Sequence, residues 1–372
     1  ALTEVLDLVC IGTVGDIMPL VDENRTMVKF GMKIVNTGRR AGLSGLVKAA
    51  SLTPGKITSE NVSYVIVPHL NASGRMEDAS IAVELLRYDK MPDDIRAKED
   101  LQKKVDCLVH HNAQRKKVQQ NTFVKCVAQL QEADGQEQED IKDFIVIKSE
   151  DAHEGIAGIV AGKMKETYYR PCIIVTPSGE DKQYLKGTGR SIDGVNLYDL
   201  LKQNERLFEK FGGHAGACGF LMKKENLSLL EEGLLKGMAA LKAEHVDLFE
   251  KKYDIDLYAG LDVYTVNLAK ELDLLAPFGN ANPKPLFYCS KVWLEDVRFM
   301  GDQNQHVRFM AKDQAGRKLQ CVLFQNAQHY LHHIYSRRQV DLIGTLECQL
   351  WQGSERLQFL VNEIRFDEAI NM

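Results

Sequence analysis

The sequence predicts an α/β protein in which a mixed α/β domain precedes an all-β one, and three observations carry that prediction. The segment 144–176 runs FIVIK, then GIAGIVAGKMKETYY, then CIIVT: a strand-like run, a helical pattern and a second strand-like run, the unit of an α/β domain. Residues 93–133 contain no Gly or Pro. Beyond about residue 287 the texture changes to short alternating segments, as at Val307, Phe309 and Ala311 and again at Leu357, Phe359 and Val361.

Taken in order, VLDLVCI at 5–11 is a continuous apolar run leading into GTVGD, and it predicts a buried strand with a loop at its carboxyl end. Helical spacing and turns follow to about residue 88, with PHLNASGR read as a loop. Across 93–133 the apolar positions Leu101, Val105, Leu108, Val118, Phe123, Val127 and Leu130 keep a helical period, interrupted near Gln114, which predicts one or two long connecting helices. DGQEQED at 134–140 is a solvated turn. The α/β segment then continues through KGTGRSIDG, a helix at 197–206 and FGGHAGACGFLM to about residue 245. Strands are expected at 289–299, 305–313, 317–324, 339–350 and 356–366, with the helical insert NAQHYLHHIYS between the third and fourth. That is the plan of an OB-fold.

Apolar residues make up 44% and charged residues 27% of the 372, the balance of a globular protein of two or three domains. No run of eighteen apolar residues is present, which speaks against a membrane span. The start lacks the basic region and cleavage site of a signal peptide. It also lacks an initiator Met and enters an apolar run at once, as a chain would that begins inside a longer protein. Eight scattered cysteines without a C-x-x-C pair argue against zinc ribbons and redox motifs, and read as core residues of a reduced, cytoplasmic protein. The net charge of −5 hides a pattern, because residues 161–224 carry eleven Lys and Arg against seven Asp and Glu. A local phosphate-binding groove is compatible with that distribution.

Several short strings bear chemistry. Asp16, just past the expected strand, stands where open α/β sheets gather ligands and could offer a carboxylate to a hard metal; a turn-forming or capping Asp is the plainer alternative. In NASGR, Arg75 could grip a phosphate with Asn71 donating beside it, or the string could be an Asn-nucleated turn. In HEGIAGIVAGK, His153 could touch a phosphate or cap the helix, and packing best accounts for Gly155, Gly158 and Gly162. KGTGRS could cradle a phosphate with backbone N–H groups and with Lys186, Thr188, Arg190 and Ser191. In GGHAGACG, Gly212 and Gly213 would let a strand of nucleic acid approach while His214 donates to a phosphate or polarises a scissile bond; a structural His is equally compatible. The pairs His110–His111 and His332–His333 point about 100° apart on their helices and suit solvated faces better than metal binding. Trp293 and Trp351 could stack on bases, but strand-like surroundings favour core packing.

The order of these strings, followed by PFGNANPKPLF at 277–287 and the OB-like tail, resembles the RecJ family, single-strand-specific exonucleases of the DHH phosphoesterase superfamily. The resemblance spans nearly the whole chain. It implies the C-terminal part of a DHH domain at 1–88, connecting helices at 89–139, a DHHA1 domain at 140–245 and an OB-fold domain with its approach segment at 250–368. It implies that Asp16 is a metal ligand of a two-ion Mn²⁺ or Mg²⁺ centre, that Arg75, Thr188 and Arg190 contact the 5′ phosphate and DNA backbone, and that His214 belongs to the GGH signature. The implied activity is 5′→3′ hydrolysis of single-stranded DNA to mononucleotides in repair and recombination, with a single-stranded-DNA-binding protein and a helicase as partners. His69 stands where the family often has Arg, and Thr188 where Ser is common. The aspartate-rich and Asp-His-His motifs are expected upstream of residue 1, so the chain alone is expected to bind single strands weakly and not to cut them. A DHH-family oligonucleotide phosphoesterase and a non-catalytic RecJ-like replication scaffold are the alternatives.

Overall fold

The computed structural model describes residues 2–134, 141–150, 152–179, 181–325, 327–335, 339–351 and 353–366. The acidic turn expected at 134–140 falls, after its first residue, outside the described residues, as do the side chains of His332, His333 and Trp351. Packing divides the chain into two compact units. One comprises Ala1–Asn36, Ile57–Ser63 and Tyr253–Met372, the other Thr37–Lys56 and Tyr64–Lys252.

Helices come first along the chain: α1 (Leu2–Gly15), α2 (Asp22–Thr37), α3 (Ala41–Ala49), α4 (Ser59–Asn61), α5 (Val67–Met76), α6 (Ser80–Leu86) and α7 (Ile95–Asp134). The run at 5–11, expected as a strand, is therefore helical. Asp7, Cys10, Ile11 and Val14 are its buried residues, at the i, i+3, i+4, i+7 spacing of one helix face. A short apolar run looks alike in a buried strand and a buried helix, and here the neighbour decides. A Cβ on Gly31 of α2 would lie 2.4 Å from the Leu6 carbonyl oxygen and 2.5 Å from Cys10 Cβ, so two helices cross almost backbone to backbone. PHLNASGR, expected as a loop, is α5, with Pro68 at its second position directly after the π-helical turn Val62–Ile66, where the regular helical ladder is already interrupted. The long connector is one continuous helix of 40 residues, α7.

The second unit continues through β1 (Ile145–Lys148), α8 (Glu154–Tyr168), β2 (Cys172–Pro177), β3 (Tyr184–Arg190), α9 (Leu197–Lys202), β4 (Phe208–His214), β5 (Ala217–Lys223) and α10 (Leu227–Glu244). The sheet order is β1-β2-β3-β5-β4, parallel between β1 and β2 and antiparallel elsewhere. One face packs on α9 and α10 through Ile173, Val175, Leu185, Phe220, Met222, Leu230 and Leu234. The other packs on α7 and α8 through Cys126, Leu130, Ile145, Ile147, Ile156, Val160, Cys172 and Ile174. Strand β2 is buried on both faces, which is why it reads as an unbroken apolar run. On the α8 side that apolar layer stops at β2.

The first unit carries β6 (Leu257–Tyr258), α11 (Val266–Leu272), β7 (Phe287–Met300), β8 (His306–Lys312), β9 (Lys318–Leu323), α12 (Leu331–Ile334), β10 (Val340–Trp351) and β11 (Ser354–Phe366). Pairing of β10 with both β11 and β7 closes β7 to β11 into a barrel, with β11 parallel to β9. Phe287, Val292, Val307, Phe309, Cys321, Leu342, Phe359 and Ile364 fill it. This is the expected OB-fold, its helix between the third and fourth barrel strands. Trp293 departs from the expectation of core packing. It is half-buried and pairs with Lys312, outside the barrel core.

All eight cysteines are free and six are buried, so they act as small apolar residues. Among the described residues no helix is long and apolar enough to cross a membrane.

Candidate nucleic-acid interface

KGTGR, expected to cradle a phosphate with its backbone, is strand β3. Its backbone is committed to ladders with β2 on one side and β5 on the other, so the backbone cradle is replaced by a side-chain one. The period of two sorts those side chains. Leu185, Gly187 and Gly189 are buried. A Cβ on Gly187 would strike the Phe220 ring at 2.0 Å, and one on Gly189 would come 2.7 Å from Leu197. Lys186, Thr188 and Arg190 take the α8 side, level with Thr176, Ile174 and Cys172 of β2. Ser191 does not join them: it is buried and its hydroxyl donates to the Val195 carbonyl at 2.7 Å.

Helix α8 lies over that row. His153 is its N-cap, with Nδ1 accepting from the Gly155 N–H at 3.2 Å, the capping role its sequence also allowed. A Cβ on Gly155 would lie 2.6 Å from the Arg75 carbonyl oxygen, and one on Gly158 would lie 2.9 Å from Arg190 Nη2 and 3.3 Å from Thr188 Oγ1. The α8 glycines thus serve packing, as expected, and the groups they admit are the two arginines. Arg75 Nη1 donates to the Gly155 carbonyl at 2.9 Å, and Arg190 Nη1 to that of Gly189 at 2.8 Å. Burial pulls both guanidinium pKa values below their ordinary one, and the charge of Arg75 lowers Arg190 further. Among the described residues neither has a carboxylate partner; Glu154 pairs with Lys186 at 2.9 Å instead. Asn71 is exposed one helical turn before Arg75, on the same stripe of α5.

Past β3 the α8 layer ends. The register sets Gly219 of β5 opposite Thr188 and Gly212 of β4 opposite Gly219. A Cβ on Gly212 would meet nothing within 4 Å. A groove of about 620 Å³ opens there, walled by Glu154, Thr176, Lys186, Thr188 and Lys210 above the two glycines. Lys210, Thr176 and Gly219 are absent from the sequence-based candidates. For Lys210 the signal is the alternation in FEKFGGH, where Lys210 and Gly212 mark one face of a strand; Thr176 and Gly219 join the groove only through strand register.

Gly213 needs a correction. Its φ of +145° and a would-be Cβ 2.2 Å from the Ala217 carbonyl oxygen show a glycine required by the β4–β5 hairpin, on the sheet face opposite to Gly212. The tip of that hairpin is pinned by Ser191 N–H to Gly216 O at 3.0 Å and Leu197 N–H to Ala215 O at 2.9 Å. His214, at the end of β4, is exposed, and its Nδ1 accepts from the Gly216 N–H at 3.2 Å. A neutral ring then carries its proton on Nε2, free to donate to an anion.

Asp16 follows helix α1 rather than a strand and is exposed, its N–H bonded to the Gly12 carbonyl at 2.9 Å. The sheet-edge argument for it therefore falls. Among the described residues no group of three or more His, Cys, Asp or Glu is placed to hold a metal. A hard dication takes about six oxygen ligands, so these residues do not by themselves fit a two-metal centre.

Residues 142–236 match the DHHA1 domain and residues 255–363 the RecJ OB domain. The single-stranded-DNA-specific exonuclease RecJ of Bacillus subtilis (strain 168) is 31% identical over 365 residues, 98% of this chain. The chain is similar to RecJ along nearly its whole length. RecJ of Escherichia coli (strain K12) is 28% identical over 370 residues, again 98% of this chain. The crystal structure of RecJ in complex with Mn²⁺ from Thermus thermophilus superposes on 99% of it with a TM-score of 0.77 and 26% identity. The matches cover 44%, 61% and 50% of these three RecJ chains.

Proposed function

We propose that this RecJ-like chain supplies the strand-holding part of an exonuclease that degrades single-stranded DNA from its 5′ end. The observation that carries the reading is the pair Arg75 and Arg190, half-buried beside Thr188 without a carboxylate partner among the described residues. Guanidinium groups so placed suit phosphate oxygens, which they bind bidentately. In this reading Arg75, Thr188 and Arg190 seat the terminal phosphate, with Asn71 donating beside them. Lys186, Lys210 and His214 then follow the backbone along the groove floored by Gly212 and Gly219. The OB barrel holds the strand by charge and by stacking, with Trp293 as the candidate stacker.

The cofactor carried over from the relatives is Mn²⁺ or Mg²⁺, with Asp16 as the one ligand proposed in this chain. Such ions, when bound, activate water and stabilise charge on the phosphorus. The division into a DHH part at 1–88, connecting helices at 89–139, DHHA1 at 140–245 and OB at 250–368 belongs to the same proposal, as do a single-stranded-DNA-binding protein and a helicase as partners.

The binding half is tested by fluorescence anisotropy on a labelled single strand and the matching duplex. Preference for the single strand is expected, and equal affinity for the two overturns it. The cutting half is tested in Mn²⁺ with the chain joined to the upstream segment that the resemblance implies. Early release of a 5′ label as a mononucleotide, abolished by Asp16→Ala, supports the exonuclease. Binding without cleavage in that assembly overturns it and leaves a scaffold.

A further inference from the structure

Arg75 and Arg190 are not the whole of the cationic cluster. Helix α7 packs against both α5 and α8, and it contributes a third guanidinium, Arg115, which is also half-buried. Its Nε donates to Asn112 Oδ1 at 3.1 Å and its Nη1 to Gln119 Oε1 at 3.2 Å. Asn112 is itself 2% exposed, so the amide that aims this guanidinium is fixed by packing. Both acceptors are uncharged: they orient Arg115 without neutralising it, and they use two of its five N–H donors.

The positive potential is a property of the place rather than of one residue. Burial lowers the pKa of Arg115, and the charge of Arg75 lowers it further, as it does that of Arg190. His69 on α5 is pushed towards its neutral form by burial, then by Lys116 and Arg115. The nearby carboxylates are engaged elsewhere, Glu77 with His111 at 3.5 Å and Glu154 with Lys186 at 2.9 Å. Arg75 of α5 repels both Arg115 of α7 and Arg190 of β3, and all three half-buried groups have lost part of their hydration, a cost that an anion held beside them offsets. An internal phosphodiester brings one negative charge. A terminal phosphomonoester brings about −1.5 to −2 at pH 7 and a third free oxygen.

We infer that Arg115 is a third phosphate-facing guanidinium, which with Arg75 and Arg190 selects a terminal phosphomonoester over an internal diester. The inference rests on the phosphate-seating role proposed above for Arg75 and Arg190. A purely structural Arg115 would do no more than brace α7 through Asn112 and Gln119, and the test separates the two.

The experiment is anisotropy with this chain on one labelled oligonucleotide carrying either a 5′ phosphate or a 5′ hydroxyl, for the wild type, Arg115→Gln and Arg115→Lys, with thermal melting alongside. The wild type is expected to prefer the phosphorylated end about tenfold. Arg115→Gln is expected to lose most of that preference while affinity for the hydroxyl end stays within about twofold, and Arg115→Lys, which keeps charge but not the fork, to hold an intermediate preference. Should Arg115→Gln fail to fold, the Lys variant decides alone. A full wild-type preference in the variants, with a lowered Tm, makes Arg115 structural and overturns the inference. Equal wild-type affinity for both ends also overturns it, leaving the strand-binding reading intact. No binding to either strand removes that reading as well.

Discussion

Gly158 of α8 stands directly over Arg190 of β3: a Cβ at Gly158 would lie 2.9 Å from Arg190 Nη2. The contact is with the far end of a flexible side chain, so it governs where the guanidinium sits more than whether the fold holds. Gly158→Ala should therefore weaken single-strand binding about fivefold while leaving Tm level or slightly raised, since Ala in a helix interior is favoured by up to about 1 kcal/mol. Gly155→Ala should do the opposite. Its Cβ would meet the Arg75 carbonyl at 2.6 Å, backbone that cannot swing away, at a cost of about 1–3 kcal/mol in stability. Melting and anisotropy on both variants check the contrast.

Arg190→Ala removes one phosphate-facing cation. Affinity should fall, and the slope of log K against log salt should shrink by about 0.7 for a single strand. A titration at several salt concentrations reads this; an unchanged slope places Arg190 away from the phosphates.

The neighbouring glycines of β4 should behave differently from each other. Gly212→Val places a side chain in open space above the groove floor, so binding should drop several-fold with Tm nearly unchanged. Gly213→Ala forces a Cβ to 2.2 Å from the Ala217 carbonyl oxygen and should destabilise by about 1–3 kcal/mol. Comparing the two separates groove from hairpin.

Trp293 lies on the outside of the barrel opposite Lys312. Trp293→Ala should cost about 1–3 kcal/mol in single-strand affinity if one base stacks there, with Tm lowered by only a few degrees. Unaltered affinity in anisotropy removes Trp293 from the DNA path.

His69 gives the fold a pH dependence of known sign. Its Nδ1 lies 2.7 Å from the Val65 carbonyl, and burial, ahead of nearby cations, holds its folded pKa below 6.5. Below pH 6.5 the unfolded chain takes the proton first, so stability falls as pH drops from 6.5 towards the folded value and is flat above. As pH falls below about 6.5, Tm should decline more in the wild type than in His69→Gln. Parallel declines would sink the assignment.

Much of this was legible along the chain. The alternation of Val307, Phe309 and Ala311 is a strand with one buried face, and it sits in β8 as expected. The two-sided burial of β2 is written in CIIVT. The failures share one cause. VLDLVCI and PHLNASGR have no local feature that separates helix from strand or loop; Gly31 pressing on Leu6, and the stacking of α5 on α7, settle them. KGTGR is expected to offer its backbone N–H groups to a phosphate, but strand pairing takes those groups up. In β3 its glycines instead make room for Phe220 and Leu197, contacts with residues far away in sequence.

Hydrophobic period and the order of short polar strings are local properties, and they suffice for the α/β-then-barrel plan, the long helix α7, the RecJ resemblance and the identity of Arg75, Thr188 and Arg190 as candidates. Which face each residue takes is not local. That Lys210 and Gly219 share a groove with Lys186 while Gly213 turns away, and that Ser191 is spent on Val195, are decided by strand register and by the end of the α8 layer at β3. The register of β3 against β5 depends on packing across the whole sheet, since a one-residue slip would turn the cations into the α9–α10 core.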